Sequence, residues 1–257
     1  MRIAITRKVS PAIVECELTH LARAPIDVTR AREQHQAYER CLAKLGCEIH
    51  SLPAEPKLPD SVFVEDVAVV FDELAIVTRP GAESRRPETP SIVEALQAYR
   101  TLHFIVAPAT VDGGDVLRVG KRVFVGLSRR TNAAGVEQMR TILSPFGCTV
   151  ESVPVNGCLH LKSAVTQVAE GAVLINPEWA SRRFFSGLDL IEVAPAEPFA
   201  ANALLIDSAV VYPAEHTETR RRLESRGIRI VAVKATEVAK AEGGVTCCSL
   251  VFESLRL

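Results

Sequence analysis

Seven cysteines and six histidines are the side chains of this 257-residue chain best suited to nucleophilic and proton-transfer work. Most read as ordinary. A lone cysteine is usually a small core hydrophobe, and that reading covers Cys16, Cys41, Cys47, Cys148 and Cys158. His20, His35, His50, His103 and His216 read as structural or solvated. What remains is His160, in Gly157-Cys-Leu-His-Leu-Lys162, and the pair in Gly243-Gly-Val-Thr-Cys-Cys248. Two acidic stretches join them: Pro59-Asp-Ser-Val-Phe-Val-Glu-Asp66 and Asp112-Gly-Gly-Asp115. No C-x-x-C or H-x-x-x-H pair is present, so the spacing is not that of a zinc site.

A cysteine needs a base or a positive environment to become a thiolate. Histidine titrates near neutrality and can carry the proton, and a carboxylate can fix the imidazole's tautomer and orientation. A second cluster of carboxylates beside a thiol is wrong for holding an oxyanion. It suits a cationic electrophile such as a guanidinium.

These residues act together only if the fold gathers them. Ala37, Tyr38, Cys41, Leu42 and Leu45 recur at helical spacing, and Gly46 follows where a helix end favours a left-handed residue. A strand, Cys47 to Pro53, comes next. The same helix-then-strand pattern is expected before Pro154, Val193 and Val233, with Gly147, Gly187 and Gly227 as the helix stops. Each unit opens with two apolar runs. These are Val67 to Phe71 with Leu74 to Thr78, Val116 to Val119 with Arg122 to Gly126, Ala164 to Val168 with Ala172 to Ile175, and Ala203 to Ile206 with Ala209 to Tyr212. Turn-compatible pairs separate them.

The unit is therefore strand, strand, helix, strand, repeated at roughly 40 to 50 residues. One copy is less regular, with a helix over Pro90 to Tyr99 and a strand over Thr101 to Ala107. A fifth copy is split between the termini: Cys247 to Phe252, Arg2 to Thr6, and the helix ending at Leu45. Closing these into a ring leaves no unpaired end. A dinucleotide-binding sheet would alternate single strands with helices and open a helix with a Gly-rich turn. Neither Gly113-Gly114 nor Gly243-Gly244 does so. The acidic stretches, His160, Asn202 in Ala200-Ala-Asn-Ala203, and the cysteine pair fall at equivalent junctions between units. In a closed ring they share one end of the axis.

Composition narrows the class. Thirty basic and 31 acidic residues leave a net charge of -1, and 5% of residues are aromatic. Neither fits a general nucleic-acid binder. No apolar run approaches the roughly 18 residues of a membrane span. The N-terminus reads as a strand rather than a signal peptide, and an odd cysteine count gives no disulfide framework. The expectation is one cytoplasmic domain over residues 1–257.

Several ordered stretches carry a resemblance beyond this. They are Ala31-Arg-Glu-Gln-His-Gln36, Leu58 through Val70, Thr78-Arg-Pro-Gly-Ala82 with Arg85-Arg86, and Asp112-Gly-Gly-Asp-Val-Leu117. Further on come Phe124-Val-Gly-Leu-Ser128 with Arg130-Thr-Asn132, Leu159-His-Leu-Lys-Ser163 and Val245-Thr-Cys-Cys-Ser249. Together they span nearly the whole chain, which resembles the dimethylarginine dimethylaminohydrolases of the pentein superfamily. The resemblance implies an α/β five-bladed propeller and hydrolysis of free methylated arginine to citrulline and a methylamine. It implies Cys247 as nucleophile, His160 as general acid and base, and Asp112 as the acid that orients it. Glu65 and Asp66 would hold the guanidinium, and Arg85 and Arg130 the α-carboxylate. Asp60 and the carbonyl of Leu18 would receive the α-ammonium, with Leu18 on a lid from about Lys8 to Asp27. A main-chain group near Ala241-Glu242 would line the pocket, although the family often carries a larger residue than Ala241. No metal or organic cofactor is implied, and a homodimer and a monomer both fit. Within the superfamily, an arginine deiminase would need a longer chain. The triad alone does not separate a citrulline hydrolase; the arginine at position 85 and the long motif match favour methylarginine. A non-catalytic pentein would not need the three reactive types at matching junctions.

Overall fold

The computed structural model describes residues 1–254. From the N-terminus, β1 (Arg2–Arg7) leads through an irregular segment to α1 (Val28–Lys44) and β2 (Cys47–Leu52). Then come β3 (Ala68–Val70), β4 (Leu74–Val77), α2 (Thr89–Leu96) and β5 (Thr101–Phe104). The next unit is β6 (Val116–Val119), β7 (Arg122–Leu127), α3 (Ala133–Leu143) and β8 (Thr149–Pro154). The short α4 (Leu161–Ala164) precedes β9 (Val165–Ala169), β10 (Ala172–Ile175) and β11 (Asp189–Glu192). Last are β12 (Leu204–Ile206), β13 (Ala209–Pro213), α5 (Thr217–Ser225), β14 (Arg229–Val233), α6 (Thr236–Ala239) and β15 (Leu250–Glu253).

The strands make five three-stranded sheets, β3-β4-β5, β6-β7-β8, β9-β10-β11, β12-β13-β14 and β15-β1-β2. In every sheet the first two strands are antiparallel and the third runs parallel to the second. The last sheet joins the ends of the chain, with Ile3 opposite Phe252. This is the five-bladed α/β propeller expected from the repeat.

Alternation along the strands explains why the blades stack. Val123 and Val125 pack with Leu74 and Ile76 of the preceding blade, while Phe124 between them packs with Val173 of the following one. Ile3 and Ile5 face Ala75 and Ile92, and Ala4 faces Val211. Five apolar clusters thus each bridge neighbouring blades, and the middle strands are buried on both faces. That is why their sequences are near-continuous apolar runs rather than half-polar ones. Asp27 caps α1 by accepting from the Arg30 amide at 3.0 Å, and Gly46 ends it at φ +88°.

Two expectations fail. No α-helix precedes β11; a single 3-10 turn, Arg182–Phe185, takes its place. Only 13 residues separate β10 from β11, including Pro177, and Phe185 fills the space against Phe124. Nor is Cys247 on a strand. It lies in a turn, and β15 begins at Leu250. Among the described residues, no helix is long and apolar enough to cross a membrane.

Candidate active site

Hydrogen bonds tie the inter-blade junctions together. The Glu65 amide donates to the carbonyl of Cys247 at 3.1 Å. The Asn202 side chain donates to Thr246 Oγ1 at 2.9 Å and accepts from the Thr246 amide at 3.1 Å. So the turn carrying Cys247 is anchored from two other blades, which a free strand would not require. The Cys247 thiol is buried and lies 3.3 Å from the Gly244 amide, which donates to it. Burial, then Glu65 and Asp66, push this thiol up to about 12. Cys248 is also buried, but packs toward Tyr38 and the adjacent apolar cluster.

His160 stands between two acids. Its Nε2 is 3.0 Å from Asp112 Oδ2, and its Nδ1 is 3.7 Å from Asp66 Oδ1. Burial alone would lower its pKa. Asp66, Asp112 and Asp115 outweigh that, and the pKa rises to about 9. The imidazole is therefore a cation at neutral pH, with a donor toward each carboxylate. The Asp112-Gly-Gly-Asp115 motif follows from this crowding. A Cβ on Gly114 would sit 2.6 Å from His160 Nδ1, and one on Gly113 would overlap the Glu65 carbonyl at 1.9 Å. Asp66 accepts from the Gly114 amide at 3.1 Å. Asp66, Asp112 and His160 are also the one group, among the described residues, whose ligand atoms could surround a metal ion, all within 4.8 Å.

The two acids expected to work together face different ways. Asp66 accepts from Arg85 at 2.5 Å; although burial raises its pKa, His160 and Arg85 outweigh that and lower it. Glu65 instead pairs with Lys162 at 2.5 Å and accepts from Thr246 Oγ1 at 2.8 Å. The two arginines also differ. Arg85 is buried and spends most of its donors on Glu88, Asp66 and the carbonyls of Asp60 and Phe63. Arg130 is buried too, yet its Nη1 has no hydrogen-bond partner among the described residues. It lies 3.8 Å from Asp112 Oδ2, while Nη2 reaches Thr19 Oγ1 at 3.4 Å. A buried guanidinium with an unmet donor is disposed to take an anion.

Asp60 is buried and accepts from the Glu17 amide at 3.1 Å. Leu18 follows on the same segment and is half-buried against the core. The cavity bordered by Asp60, Asp66, Arg85, Arg130, His160 and Cys247 also includes Ala241 and Glu242. It holds about 10 Å³, the space of a single water. A larger cavity of about 420 Å³ lies beside it, under His20 to Ala24, and shares Leu159, Glu242 and Gly243 with it.

Several contributors were not singled out by sequence reasoning. Lys162 and Thr246 hold Glu65, and Glu88 neutralises Arg85. Glu242 accepts from the backbone amides of Thr19, His20 and Leu21. Its positive φ, +58°, marks a deliberate turn. Lys162, Thr246 and Asp115 did carry a signal, since each lies inside a motif already noted at a junction.

A closed propeller of this form, with a cysteine, a histidine and carboxylates gathered at its inter-blade junctions, defines a guanidine-modifying pentein with a cysteine nucleophile. Residues 22–254 match the family model for N,N dimethylarginine dimethylhydrolase, eukaryotic. A Streptomyces coelicolor N(G),N(G)-dimethylarginine dimethylaminohydrolase is 40% identical, covering 98% of this chain and 97% of that protein. Its Pseudomonas aeruginosa counterpart is 39% identical, covering 91% and 92%. A cysteine-to-serine variant of the P. aeruginosa enzyme, solved with citrulline, superposes with a TM-score of 0.92 at 37% identity, covering 97% of this chain and 98% of that one. The chain belongs to the dimethylarginine dimethylaminohydrolase family.

Proposed function

We propose that the chain, acting as one catalytic domain over residues 1–257, hydrolyses free Nω-methylated L-arginine. Asymmetric dimethylarginine would give L-citrulline and dimethylamine; monomethylarginine would give methylamine. The observation that carries this reading is a buried thiol beside an imidazolium, walled by carboxylates. Such a wall favours a cation and repels an oxyanion.

Asp66, with Glu65 behind it, would hold the guanidinium. The unmet donor of Arg130, with Arg85, would receive the α-carboxylate, and Asp60 and the Leu18 carbonyl the α-ammonium. The incoming cation favours loss of the Cys247 proton to solvent. The thiolate then attacks the guanidinium carbon, forming a C–S bond. His160, held by Asp112, gives a proton to the methylated nitrogen, and that C–N bond breaks. The neutral imidazole next takes a proton from water, whose oxygen adds to the thiouronium carbon. The C–S bond breaks, thiolate returns, and citrulline leaves after losing its extra proton to solvent. The route draws on no metal or organic cofactor. A cytoplasmic setting accords with seven cysteines that are all unpaired.

The test is citrulline release from asymmetric dimethylarginine, from unmethylated arginine, and from the N-acetyl amide of dimethylarginine. The blocked compound loses both charged ends. At about 1.5–3 kcal/mol for each charge-assisted hydrogen bond, kcat/KM should fall more than about a thousand-fold. Comparable values for free and blocked substrate would refute an amino-acid pocket.

A further inference from the structure

Asp115 is buried, charged chemistry beside the site that the mechanism above does not use. It has no exposed surface and sits at the foot of β6, three residues after Asp112. Its two oxygens serve different parts of the pocket. Oδ1 accepts from the Leu161 amide at 2.9 Å, fixing the backbone that carries His160. Oδ2 accepts from the Ser128 hydroxyl at 2.6 Å. The Ser128 oxygen in turn accepts from the amides of Arg130 at 3.0 Å and Thr131 at 3.2 Å. Thr131 Oγ1 accepts from the Asp112 amide at 3.1 Å, which closes the loop back onto the acid that holds His160. Gly126 is the residue that admits this carboxylate, since a Cβ there would lie 2.6 Å from Oδ1.

We propose that Asp115 is a positioning residue that locks the histidine and the anion-binding arginine into one frame. One carboxylate fixes the spacing between the reacting end of the substrate and its α-carboxylate end. A side chain with one acceptor could not do both. The charge also acts on the base: Asp66, Asp112 and Asp115 are the anions facing His160, while His160, Asp112 and Cys158 are the titratable groups facing Asp115. The Arg130 half of this inference rests on the function proposed above.

The two halves separate by substitution. In Asp115→Asn the amide oxygen can still accept from Leu161, but its NH2 meets a Ser128 oxygen already accepting two amides. In Ser128→Ala, Asp115 keeps its charge and its bond to Leu161, and only the Arg130 turn is released. Ser128 is half-buried at a turn, so this variant should fold. The expected result for Ser128→Ala is a KM for asymmetric dimethylarginine raised about tenfold, with kcat falling less than twofold. That increase should disappear with dimethylguanidinobutane, which has no carboxylate. Asp115→Asn should show the same KM effect, a lower kcat, and a His160-governed limb of kcat/KM moved about one pH unit toward acid. Amide exchange gives an activity-independent reading: Arg130 and Thr131 should exchange faster in both variants, and Leu161 in neither. If the wild type releases no citrulline, the function proposal fails, and the exchange pattern and an NMR titration of the His160 ring still decide the frame. Unchanged exchange at Arg130, or a His160 titration unmoved in Asp115→Asn, overturns the inference. So does a Ser128→Ala effect confined to kcat.

Discussion

Replacing Glu242 by alanine should loosen the segment expected to act as a lid. That segment, Lys8 to Asp27, is tied at its ends by the Lys8 amide on the Leu52 carbonyl and the Asp27 amide on Glu237, and midway by the Glu17 amide on Asp60. Between these anchors one carboxylate carries the load: Glu242 accepts from Thr19 at 3.0 Å and from His20 and Leu21. Glu242 is partly exposed, so each bond belongs at the low end, about 0.5–1 kcal/mol. Three together are worth about 1.5–3 kcal/mol, or roughly a 10- to 100-fold change in the balance between closed and open lid. Alanine adds no backbone strain beyond that glutamate already bears at φ +58°. The assay is trypsin cleavage after Arg23, which is exposed on the lid. Cleavage follows the open population when opening is fast, so it should speed up by that factor. KM for methylarginine should rise in step, because Leu18 immediately precedes the released amides. Glu242→Gln keeps one accepting oxygen and should fall between the two. Arg23 cleavage within twofold of wild type in Glu242→Ala would refute the latch.

Cys247→Ser should abolish turnover with the fold intact, whereas Cys248→Ser should retain substantial activity, as Cys248 packs toward Tyr38; the reverse kinetics would exchange their roles. Asp112→Asn should misorient His160 and cut kcat, while Asp66→Asn should weaken cation binding. An amidine-bearing thiol alkylator should therefore label the first variant better, and equal labelling would mean the acidic roles are confused. His160 is raised from 6.5 to about 9, so its stabilising contribution is complete below about pH 6.5 and disappears as pH climbs through 9. Urea midpoints of the wild type should fall across that window by up to roughly 3 kcal/mol of stability, and His160→Gln should lack this slope.

The blades were legible because local rules write them. Hairpins such as Val116 to Gly126 combine apolar runs with a turn glycine, and Gly147 and Gly227 stop helices wherever a left-handed residue is needed. The helix expected before β11 failed where tertiary packing overrode propensity: the segment is short, and Phe185 is worth more in the core than on a helix. The strand expected at Cys247 failed for a reason no local pattern contains. Asn202 and Glu65, from other blades, capture the backbone of Thr246 and Cys247 before the ladder begins. The site shows the same divide. Residue types at the junctions were readable, but the direction each carboxylate faces is set by partners far away in sequence. Lys162 draws Glu65 away from Asp66, and Arg85 draws Asp66 the other way.

The acid excess around the thiol also bears on substrate choice. With its pKa pushed to about 12, Cys247 is almost wholly protonated at neutral pH, and a neutral thiol is a poor nucleophile. His160 cannot take that proton while it is itself protonated between Asp66 and Asp112. An uncharged amide entering the pocket changes none of this. A guanidinium held as proposed would, because its charge would lie where Asp66 and Glu65 disfavour the thiolate and would offset them at the moment attack becomes possible. Under the proposed function the carboxylates would act twice, holding the cation and suppressing the nucleophile until the cation arrives. Inactivation by a neutral alkylator such as iodoacetamide should accordingly be slow at pH 7. It should quicken in Asp66→Asn, where one of the suppressing charges is gone. An unchanged rate in that variant would leave burial alone to account for the protected thiol, and selectivity for cations would then rest on binding rather than on activation.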